Sequence, residues 1–262
     1  MAGTPHPFGI DFGGSGIKGA PVDLRTGEFA AERTRIPTPP GGPPDEVAAV
    51  VAELVARGAD DEAPVGVTVP GVVLHGVVRS AANIDKRWIG TDAVDLFRRQ
   101  VGRDVIVVND ADAAGLAEVR YGAARDEDGV VIVTTLGTGI GSALVYDGVL
   151  VPNSELGHLE MRGKDAEKQA ANSARERKDL SWEQWAKVLR TYYRMLERLF
   201  SPDLIVVGGG VSKHAAKFLP LLDLDTRIVP ATLRNTAGIV GAAVLAAEAA
   251  RGVAHRSRVG QP

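Results

Sequence analysis

The chain has 262 residues, a formal net charge of -3 and 45% hydrophobic residues, a composition typical of one large or two modest globular domains. So small a net charge excludes general capture of nucleic acid or membrane surfaces, although a local basic groove can still bind a polyanion. The chain contains no cysteine, which excludes disulfides and cysteine-ligated zinc and fits a reducing compartment. No segment resembles a signal peptide or a membrane-spanning helix. We therefore expect a cytoplasmic protein with no nucleic-acid or membrane partner.

Hydrophobic periodicity and turn residues predict alternating strands and helices along the chain. The predicted strands are 8–12, 20–24, 29–36, 65–69, 105–108, 130–135, 143–146 and 204–207. The predicted helices are 47–57, 91–100, 111–121, 181–200 and 237–249. The apolar stripe of helix 181–200 favours a core-facing surface, with a dimer surface as the alternative. Residues 253–262 are predicted to form a flexible tail.

An internal repeat indicates the architecture. Residues 11–23 align without gaps with residues 135–147, and each copy reads as strand, glycine turn, strand and an aspartate-containing turn. Such a repeat predicts an α/β protein of two similar lobes that face a shared cleft. We assign residues 1–109 to an N-terminal α/β lobe and residues 110–236 to a C-terminal α/β lobe. The helix near 237–250 is expected to pack back on the N-terminal lobe.

The first glycine turn matches the dinucleotide fingerprint GxGxxG at residues 14–19. That fingerprint requires a helix directly after the turn, whereas Pro21 and a second turn follow here, so a β-hairpin is predicted. Its backbone N–H groups can approach phosphate oxygens, a carboxylate at the strand end can orient a metal-bound water, and a lysine can neutralise phosphate. A plain hairpin with a solvated lysine is the alternative. The residues of this turn that are candidates for binding a phosphate donor are Asp11, Gly13, Gly14, Ser15 and Lys18. Asp11 is also the candidate for an indirect contact with Mg²⁺.

Two further glycine turns follow strands in the second half of the chain. The turn at 135–141 offers backbone donors and a threonine hydroxyl, and the glycine run at 208–210 leaves room for a base or a distal phosphate. A plain hairpin is again the alternative for the first of them. The candidate donor-binding residues are Thr135, Gly137, Thr138, Gly139, Gly208, Gly209 and Gly210.

Asp110 is the candidate general base. It ends a buried strand and precedes a helix, which is where open α/β sheets place their site residues. Phosphoryl transfer to a hydroxyl needs a carboxylate that accepts the proton, while positioning and charge neutralisation supply the rest. On the sequence alone, a helix-capping role for Asp110 is an equally good interpretation.

A second polar group follows the second predicted hairpin. Glu155 and His158, separated by Leu156 and Gly157, can face one pocket and bind adjacent hydroxyls, although a lone histidine is often structural. Asn83 is either an amide ligand or a turn residue. Zinc is not expected, because the neighbouring sequence supplies neither thiolates nor a second histidine.

Taken together, these motifs resemble the ROK sugar kinases, a family of the actin, hexokinase and Hsp70-like superfamily. The resemblance runs in the family's order from Phe8 to about Ala250. It is carried by residues 11–15 (DFGGS), 69–72 (VPGV), 109–114 (NDADAA), 135–141 (TLGTGIG), 155–158 (ELGH) and 208–210 (GGG). It implies a two-lobed, ribonuclease H-like fold with duplicated mixed β-sheets, a homodimer, and Mg²⁺ or another divalent cation.

The resemblance also implies residue roles. Asp110 would deprotonate the 6-hydroxyl of glucose, and Glu167 stands where the family places its last sugar-binding glutamate. The implied glucose-binding residues are Asn83, Asn109, Asp110, Glu155, His158 and Glu167.

One departure from the family pattern bears on the phosphoryl donor. Many ROK members carry a zinc-binding cysteine cluster after the Gly-His pair, whereas residues 161–165 here read MRGKD. This compact, zinc-free form is similar to the polyphosphate-dependent glucokinases of actinobacteria, which implies inorganic polyphosphate as donor, with or without ATP. The candidate residues for a basic polyphosphate track are Lys18, Lys86, Arg87, Arg162, Lys164 and Lys168.

Three alternative functions are compared with this one, and the first of them stays open. The first is a strictly ATP-dependent glucokinase or another ROK hexose kinase. The second is a sugar-sensing repressor, which needs a helix-turn-helix domain before the first strand, where only seven residues precede Phe8. The third is a nucleotide-dependent chaperone or filament subunit, which would not need the Glu155–His158 pair.

Overall fold

The computed structural model describes residues 5–81 and 84–252. The chain divides into two compact units: the first comprises the residues up to Asn109 and those from Gly238 onward, and the second comprises Asp110–Ala237. The predicted flexible tail at 253–262 lies outside the described residues. None of the helices in the described ranges is long and apolar enough to cross a membrane.

The first unit contains a mixed six-stranded sheet and a two-stranded ribbon. Its strands are β1 (Phe8–Gly13), β2 (Gly16–Asp23), β3 (Glu28–Phe29), β4 (Thr34–Ile36), β5 (Val65–Val69), β6 (Val73–Leu74), β7 (Val77–Val78) and β8 (Val105–Asn109). The sheet order is β3-β2-β1-β5-β8, with β4 also paired to β2. Strands β1 and β2 are antiparallel, and β1, β5 and β8 run parallel. The single strand predicted at 29–36 is wrong: the chain pairs twice with β2, as β3 and as β4, with unpaired residues between.

Two of the helices of the first unit lie between its glycine hairpin and the end of β8. Helix α1 (Pro44–Gly58) begins with a proline in its first turn, where the missing N–H costs no hydrogen bond. Helix α2 (Ala93–Val101) is capped by Asp92, whose side chain accepts the N–H of Asp95 at 2.9 Å. Trp88 is fully buried between the rings of Phe12 and Phe97, with centroid separations of 5.8 and 5.9 Å. These rings anchor the apolar core between sheet and helices.

The second unit repeats the sheet order of the first. Its strands are β9 (Val130–Leu136), β10 (Ile140–Tyr146), β11 (Val149–Val151), β12 (Glu160–Met161), β13 (Lys164–Asp165), β14 (Leu204–Gly208) and β15 (Arg227–Pro230). The five-stranded sheet runs β11-β10-β9-β14-β15, with β9, β14 and β15 parallel. Both sheets thus place an antiparallel hairpin beside two parallel strands, as the internal repeat predicts. Sequence reasoning missed β11 and β15, which are only three and four residues long.

The helices of the second unit include the longest in the described chain. They are α3 (Asp110–Tyr121), α4 (Glu167–Ala170), α5 (Asn172–Arg177) and α6 (Trp182–Phe200), and a 3-10 helix spans Gly210–Lys217. Ser181 and Gln184 form a capping box at the start of α6, which satisfies two backbone donors there. Trp185, Leu189 and Leu196 on its apolar stripe are buried, so the core-facing interpretation of this stripe is confirmed.

The two glycine hairpins differ by one residue. In the first hairpin Gly13 pairs with Gly16, which leaves a two-residue turn. In the second, Leu136 pairs with Ile140, which leaves a three-residue turn. The gapless alignment therefore cannot be correct for both strands of the hairpin, because sequence similarity does not reveal turn length.

The last helix, α7 (Ala237–Ala250), belongs to the first unit from Gly238 onward. A side chain at Gly238 would lie 2.8 Å from Oδ1 of Asp11. The first turn of α7 therefore lies against the carboxylate of Asp11, a favourable arrangement for a negative charge at a helix N-terminus.

Candidate active site

The first glycine turn connects β1 to β2, so the GxGxxG match opens a hairpin and not a helix, as predicted. Two side chains fasten this turn: Thr38 donates its hydroxyl to the carbonyl oxygen of Gly13, and Arg35 donates to that of Ser15, both at 2.6 Å. Gly14 and Ser15 are exposed. The turn is thus held in place while its outer backbone stays accessible.

Asp11 lies near the end of β1 with donors on several sides. The ammonium of Lys18 is 3.4 Å from Oδ2, and the Thr68 hydroxyl donates to Oδ1 at 3.3 Å. With the start of α7 beside it, the carboxylate has a cation, a hydroxyl and a helix N-terminus as neighbours. Lys18 is only 23% exposed, so it is not the solvated surface lysine of the alternative interpretation.

The second glycine turn is fastened to α5. Ser173 donates its backbone N–H to the carbonyl oxygen of Gly137 at 3.1 Å and its hydroxyl to that of Thr138 at 2.6 Å. Next to the turn, the N–H of Ile140 donates to Oε2 of Glu167 at 3.3 Å. A side chain at Gly139 would come within 2.4 Å of the same oxygen. A predicted donor-binding turn and a predicted sugar-binding glutamate therefore meet.

The third glycine turn lies against the second. Gly208 ends β14 in register with Thr135. Gly209 has a φ of +80°, which a residue with a side chain rarely adopts, and a Cβ there would be 2.4 Å from the Leu136 carbonyl oxygen. Gly210 then starts the 3-10 helix. The structure thus brings the two donor-binding candidates of the second unit together.

Asp110 is the first residue of α3 and follows directly on β8. Its carboxylate is half-buried and accepts the N–H of Ala111 at 2.9 Å. The neighbouring Asn109 is buried and donates its side-chain amide to the Gly71 carbonyl oxygen at 3.1 Å. The strand-to-helix position predicted for Asp110 is therefore observed.

Asp112 is a feature that sequence reasoning missed. It lies on the first turn of α3, is 1% exposed, and accepts the backbone N–H of Asn153 at 2.7 Å. Burial raises the pKa of Asp112 to about 7, against the lowering effect of the Asn153 hydrogen bond, and the charges of Glu155 and Asp110 add to the rise. The only signal in the sequence was a second acidic residue two positions after Asp110.

The loop that carries Glu155 is fixed by contacts from both sides. On one side, Asp112 accepts the backbone N–H of Asn153. On the other, the Ser142 hydroxyl accepts the N–H of Leu156 at 2.9 Å and donates to the carbonyl oxygen of Ser154. After this loop, a single 3-10 turn, Leu156–His158, presents the histidine. The loop is therefore a preorganised platform rather than a free surface segment.

Charged side chains converge on His158. Its Nε2 is 3.7 Å from Glu155 and its Nδ1 is 3.6 Å from Asp165, which also bonds Lys168 at 3.0 Å. Burial raises the pKa of Glu155, with a further rise from Glu167 and an opposing effect of His158. The pKa of Asp165 is lowered, chiefly by its hydrogen bond from Lys168. This group combines carboxylate acceptors with an imidazole, the functional groups that bind sugar hydroxyls.

A metal-ligand geometry also exists here. In the described ranges, ligand atoms of His158, Asp165 and Glu167 all lie within 4.8 Å of one another. This set supplies one imidazole and two carboxylates and differs from the thiolate-rich sets typical of structural zinc. Asn83, the remaining sugar-binding candidate, lies outside the described residues.

The geometry agrees with a comparison against protein families. The model of the ROK family matches residues 7–174, a stretch that contains the first two glycine turns, Asp110 and the Glu155–His158 loop. The chain belongs to the ROK family. The family prediction made from the motifs is confirmed.

Three known proteins illustrate the similarity. The chain is 52% identical over 240 residues to the polyphosphate glucokinase of Mycobacterium tuberculosis. The aligned region covers 91% of this chain and 90% of that protein. The crystal structure of an inorganic polyphosphate/ATP-glucomannokinase from Arthrobacter sp. strain KM matches with a TM-score of 0.88 and 54% identity, over 93% of this chain and 99% of that one. A ROK family glucokinase from Streptomyces griseus, solved with glucose and AMPPNP, matches with a TM-score of 0.77 and 25% identity, over 93% and 99% of the two chains. The predicted actin/hexokinase-like fold is thereby confirmed.

Proposed function

We propose that the protein transfers a phosphoryl group from inorganic polyphosphate to the 6-hydroxyl of glucose, and that ATP is an alternative donor. One structural observation carries the proposal. Within the second unit, α3 begins with a half-buried carboxylate, Asp110, and is bonded two residues later to the loop that presents Glu155 and His158. A base and a hydroxyl-binding group are thus tied to one rigid element. The high identity to a polyphosphate glucokinase supports the choice of substrates.

Asp110 is the general base of the proposed reaction. It accepts the proton of the glucose 6-hydroxyl as that oxygen bonds the terminal phosphorus, and the bond from phosphorus to the shortened polyphosphate breaks. In such transfers most of the acceleration comes from positioning and charge stabilisation, and a general base contributes about 10²- to 10⁴-fold.

Glucose recognition falls to the group around His158. Glu155 and Glu167 accept hydrogen bonds from sugar hydroxyls, and His158, held between Glu155 and Asp165, bonds a neighbouring one. Asn109 and Asn83 are the remaining proposed contacts. A pocket that forms a hydrogen bond with each sugar hydroxyl rejects an analogue that lacks one of them, because a polar group of the pocket is then left without a partner.

The phosphoryl donor is bound by backbone groups at the glycine turns. In the second unit these are the adjoining turns at Gly137–Gly139 and Gly208–Gly210, with Thr135 and Thr138 beside them. In the first unit they are Gly13, Gly14 and Ser15. Mg²⁺ or another divalent cation neutralises donor oxygens when bound, and Asp11, with its neighbouring donors, suits an indirect contact through water. Lys18 is already paired with Asp11, so its proposed role is to position that carboxylate.

A side-by-side assay of the purified protein tests the donor. The 6-phosphate of the added sugar is measured with polyphosphate and with ATP, each with glucose and with mannose, because the similar Arthrobacter enzyme is a glucomannokinase. We expect product from glucose with both donors. Product from ATP alone would establish the ATP-dependent alternative.

A homodimer is also proposed from the family resemblance, as is a cytoplasmic location. Sedimentation velocity over a range of protein concentrations tests the dimer. A single species with the mass of one chain at every concentration would refute it.

A further inference from the structure

The basic residues first considered for a polyphosphate track are largely engaged elsewhere. Lys18 pairs with Asp11, Arg87 pairs with Asp85, and Lys168 pairs with Asp165. Lys86 donates to the carbonyl oxygen of Ala81, and Arg162 donates to the Thr191 hydroxyl at 3.4 Å. Only Lys164 of this set forms no such contact in the described residues. A cation that is already bonded to a carboxylate or a carbonyl oxygen contributes less to the binding of a polyanion.

A different cationic group surrounds Trp182 at the start of α6. The guanidinium carbon of Arg175 is 4.2 Å from the centre of the indole ring, and the Lys217 ammonium is 5.6 Å from it. The His214 ring lies 5.4 Å away, and Phe218 stacks on the indole at 6.0 Å and 13°. The aromatic pair thus gathers two cations and a histidine at one place by cation–π and ring contacts.

Both elements that carry these cations start at the donor-binding glycine turns. Helix α5, which holds Arg175, is bonded through Ser173 to Gly137 and Thr138. The 3-10 helix that holds Lys213 and Lys217 begins at Gly210, where Ser212 bonds the Gly209 carbonyl oxygen through its N–H at 3.1 Å and its hydroxyl at 2.8 Å. Two short helices therefore lead from the two adjoining turns to one cationic surface.

The lysines of this surface are available for a ligand. Lys217, over Trp182, and Lys213, four residues before it on the same 3-10 helix, are exposed, and within the described ranges neither forms an ion pair with a carboxylate. Arg175 is held more firmly: it donates to Asn172 at 3.2 Å and to the Leu180 carbonyl oxygen at 3.4 Å. Glu176, 4.0 Å from Arg175, is the nearby negative charge. The fixed guanidinium of Arg175 is thus accompanied by two exposed ammonium groups that have no carboxylate partner in the described residues, Lys217 over the indole and Lys213 on the same short helix.

We propose that Arg175, Lys213 and Lys217 form a binding subsite for the phosphates of a polyphosphate chain beyond the one that is transferred. The inference rests on the proposed function. A long polyanion that leaves the turns at Gly137–Gly139 and Gly208–Gly210 continues onto this surface, where each cation it meets strengthens binding and makes it depend on salt. Guanidinium adds a planar fork of donors that matches phosphate oxygens. ATP carries only three phosphates, so it gains little from the distal lysines.

A double charge reversal, Lys213→Glu with Lys217→Glu, tests the subsite. Its matched control is Lys187→Glu with Arg198→Glu, two exposed positions on α6 that produce the same change in net charge. KM is measured at saturating glucose for long-chain polyphosphate, tripolyphosphate and ATP. We expect KM for long-chain polyphosphate to rise about tenfold in the test variant and to lose part of its salt dependence, with KM for ATP and glucose changed less than about twofold.

Three outcomes would overturn the proposal. In the first, KM for long-chain polyphosphate rises equally in the test and control variants, which indicates a net-charge effect. In the second, KM for tripolyphosphate, ATP and long-chain polyphosphate all rise by the same factor, which places the lysines at the transferred phosphate. In the third, no KM changes. If the reversal variant does not fold, Lys213→Gln with Lys217→Gln gives the same comparison. Wild-type protein that makes no product from polyphosphate would refute the proposed donor itself, a result distinct from all three.

Discussion

The carboxylate of Asp112 accepts a hydrogen bond from the backbone N–H of Asn153 at 2.7 Å. This bond connects α3, which begins with the proposed base, to the loop that carries Glu155, a proposed glucose-binding residue. Asp112 is two residues after Asp110, and Asn153 is two residues before Glu155. Burial is the main cause that raises the pKa of Asp112 to about 7, and the negative charges of Glu155 and Asp110 raise it further. Asp112 is therefore placed to position Glu155 relative to Asp110.

Replacement of Asp112 by alanine removes this tie. We expect Asp112→Ala to raise KM for glucose about tenfold, because the loss of a hydrogen bond donated by an N–H to a carboxylate costs about 1.5–3 kcal/mol. Asp112→Asn keeps an oxygen acceptor for the Asn153 N–H and should leave KM for glucose within about threefold of wild type. Steady-state kinetics with glucose and with donor varied separately give the comparison.

The matched control is Glu118, another buried carboxylate on α3. It accepts N–H groups from Ala123, Thr232 and Leu233, so it is structural, and Glu118→Gln should lower thermal stability without a change in KM for glucose. If Glu118→Gln and Asp112→Ala raise KM for glucose alike, the effect belongs to general destabilisation of α3 and the positioning role is wrong.

The carboxylate of Asp112 makes the stability of the protein depend on pH. The pKa of Asp112 lies near 3.8 ordinarily and at about 7 in the folded protein. Between these pH values the folded state therefore binds more protons than the unfolded state. Stability from this group is therefore greatest below pH about 4 and falls as pH rises toward about 7, by up to about 4 kcal/mol. Asp112→Asn should flatten this dependence, which urea unfolding at pH 5 and pH 8 measures on the wild-type and variant proteins. An unchanged difference between the two pH values would show that Asp112 ionises normally.

Much of the fold follows from local sequence signals. Strand β5 and strand β14 were predicted because each is a short, continuously apolar run bounded by turn residues, and α6 because its apolar residues recur at three- and four-residue steps. The GxGxxG segment was recognised as a hairpin because Pro21 cannot continue a helix. The failures have physical causes too: β3 and β4 are separate because they pair at different places along β2, which no local pattern encodes.

The candidate site was predictable where residues carry a motif and unpredictable where their role depends on tertiary contact. Glu155 and His158 were found as a pair, whereas Asp165, which completes the contacts of His158, sits on a separate hairpin, β12–β13. Asp112 was passed over because its burial and its bond to Asn153 arise only when α3 packs on the second sheet.

Replacement of the proposed base should separate chemistry from binding. Asp110→Asn keeps the size of the side chain but cannot accept the proton, so we expect turnover to fall by about 10²- to 10⁴-fold while glucose still binds. Stopped or quenched assays measure turnover, and isothermal titration with glucose measures binding. Near-normal turnover in this variant would show that another group is the base.

The imidazole of His158 should affect the sugar and not the donor. It lies between Glu155 and Asp165, at 3.7 and 3.6 Å, and its removal leaves two carboxylates without their shared neighbour. We expect His158→Ala to raise KM for glucose by about tenfold or more with KM for the donor unchanged. His214→Ala, which removes the histidine beside Trp182, is the control for loss of an imidazole, and KM for glucose should be unaltered in it. A rise in donor KM alone for His158→Ala would contradict the assignment.

The contact between the second glycine turn and Glu167 can be tested with two alanine substitutions in the same turn. A Cβ at residue 139 would come within 2.4 Å of the Glu167 carboxylate, whereas a Cβ at residue 137 meets no atom within 4 Å. Gly139→Ala therefore forces the carboxylate away from the Ile140 N–H and should raise KM for glucose about three- to tenfold. Gly137→Ala, which adds the same methyl group to the same turn, should leave KM for glucose unchanged. Because both substitutions lie in the proposed donor site, only KM for glucose discriminates between them. Equal values of this constant in the two variants would mean that Glu167 does not bind the sugar.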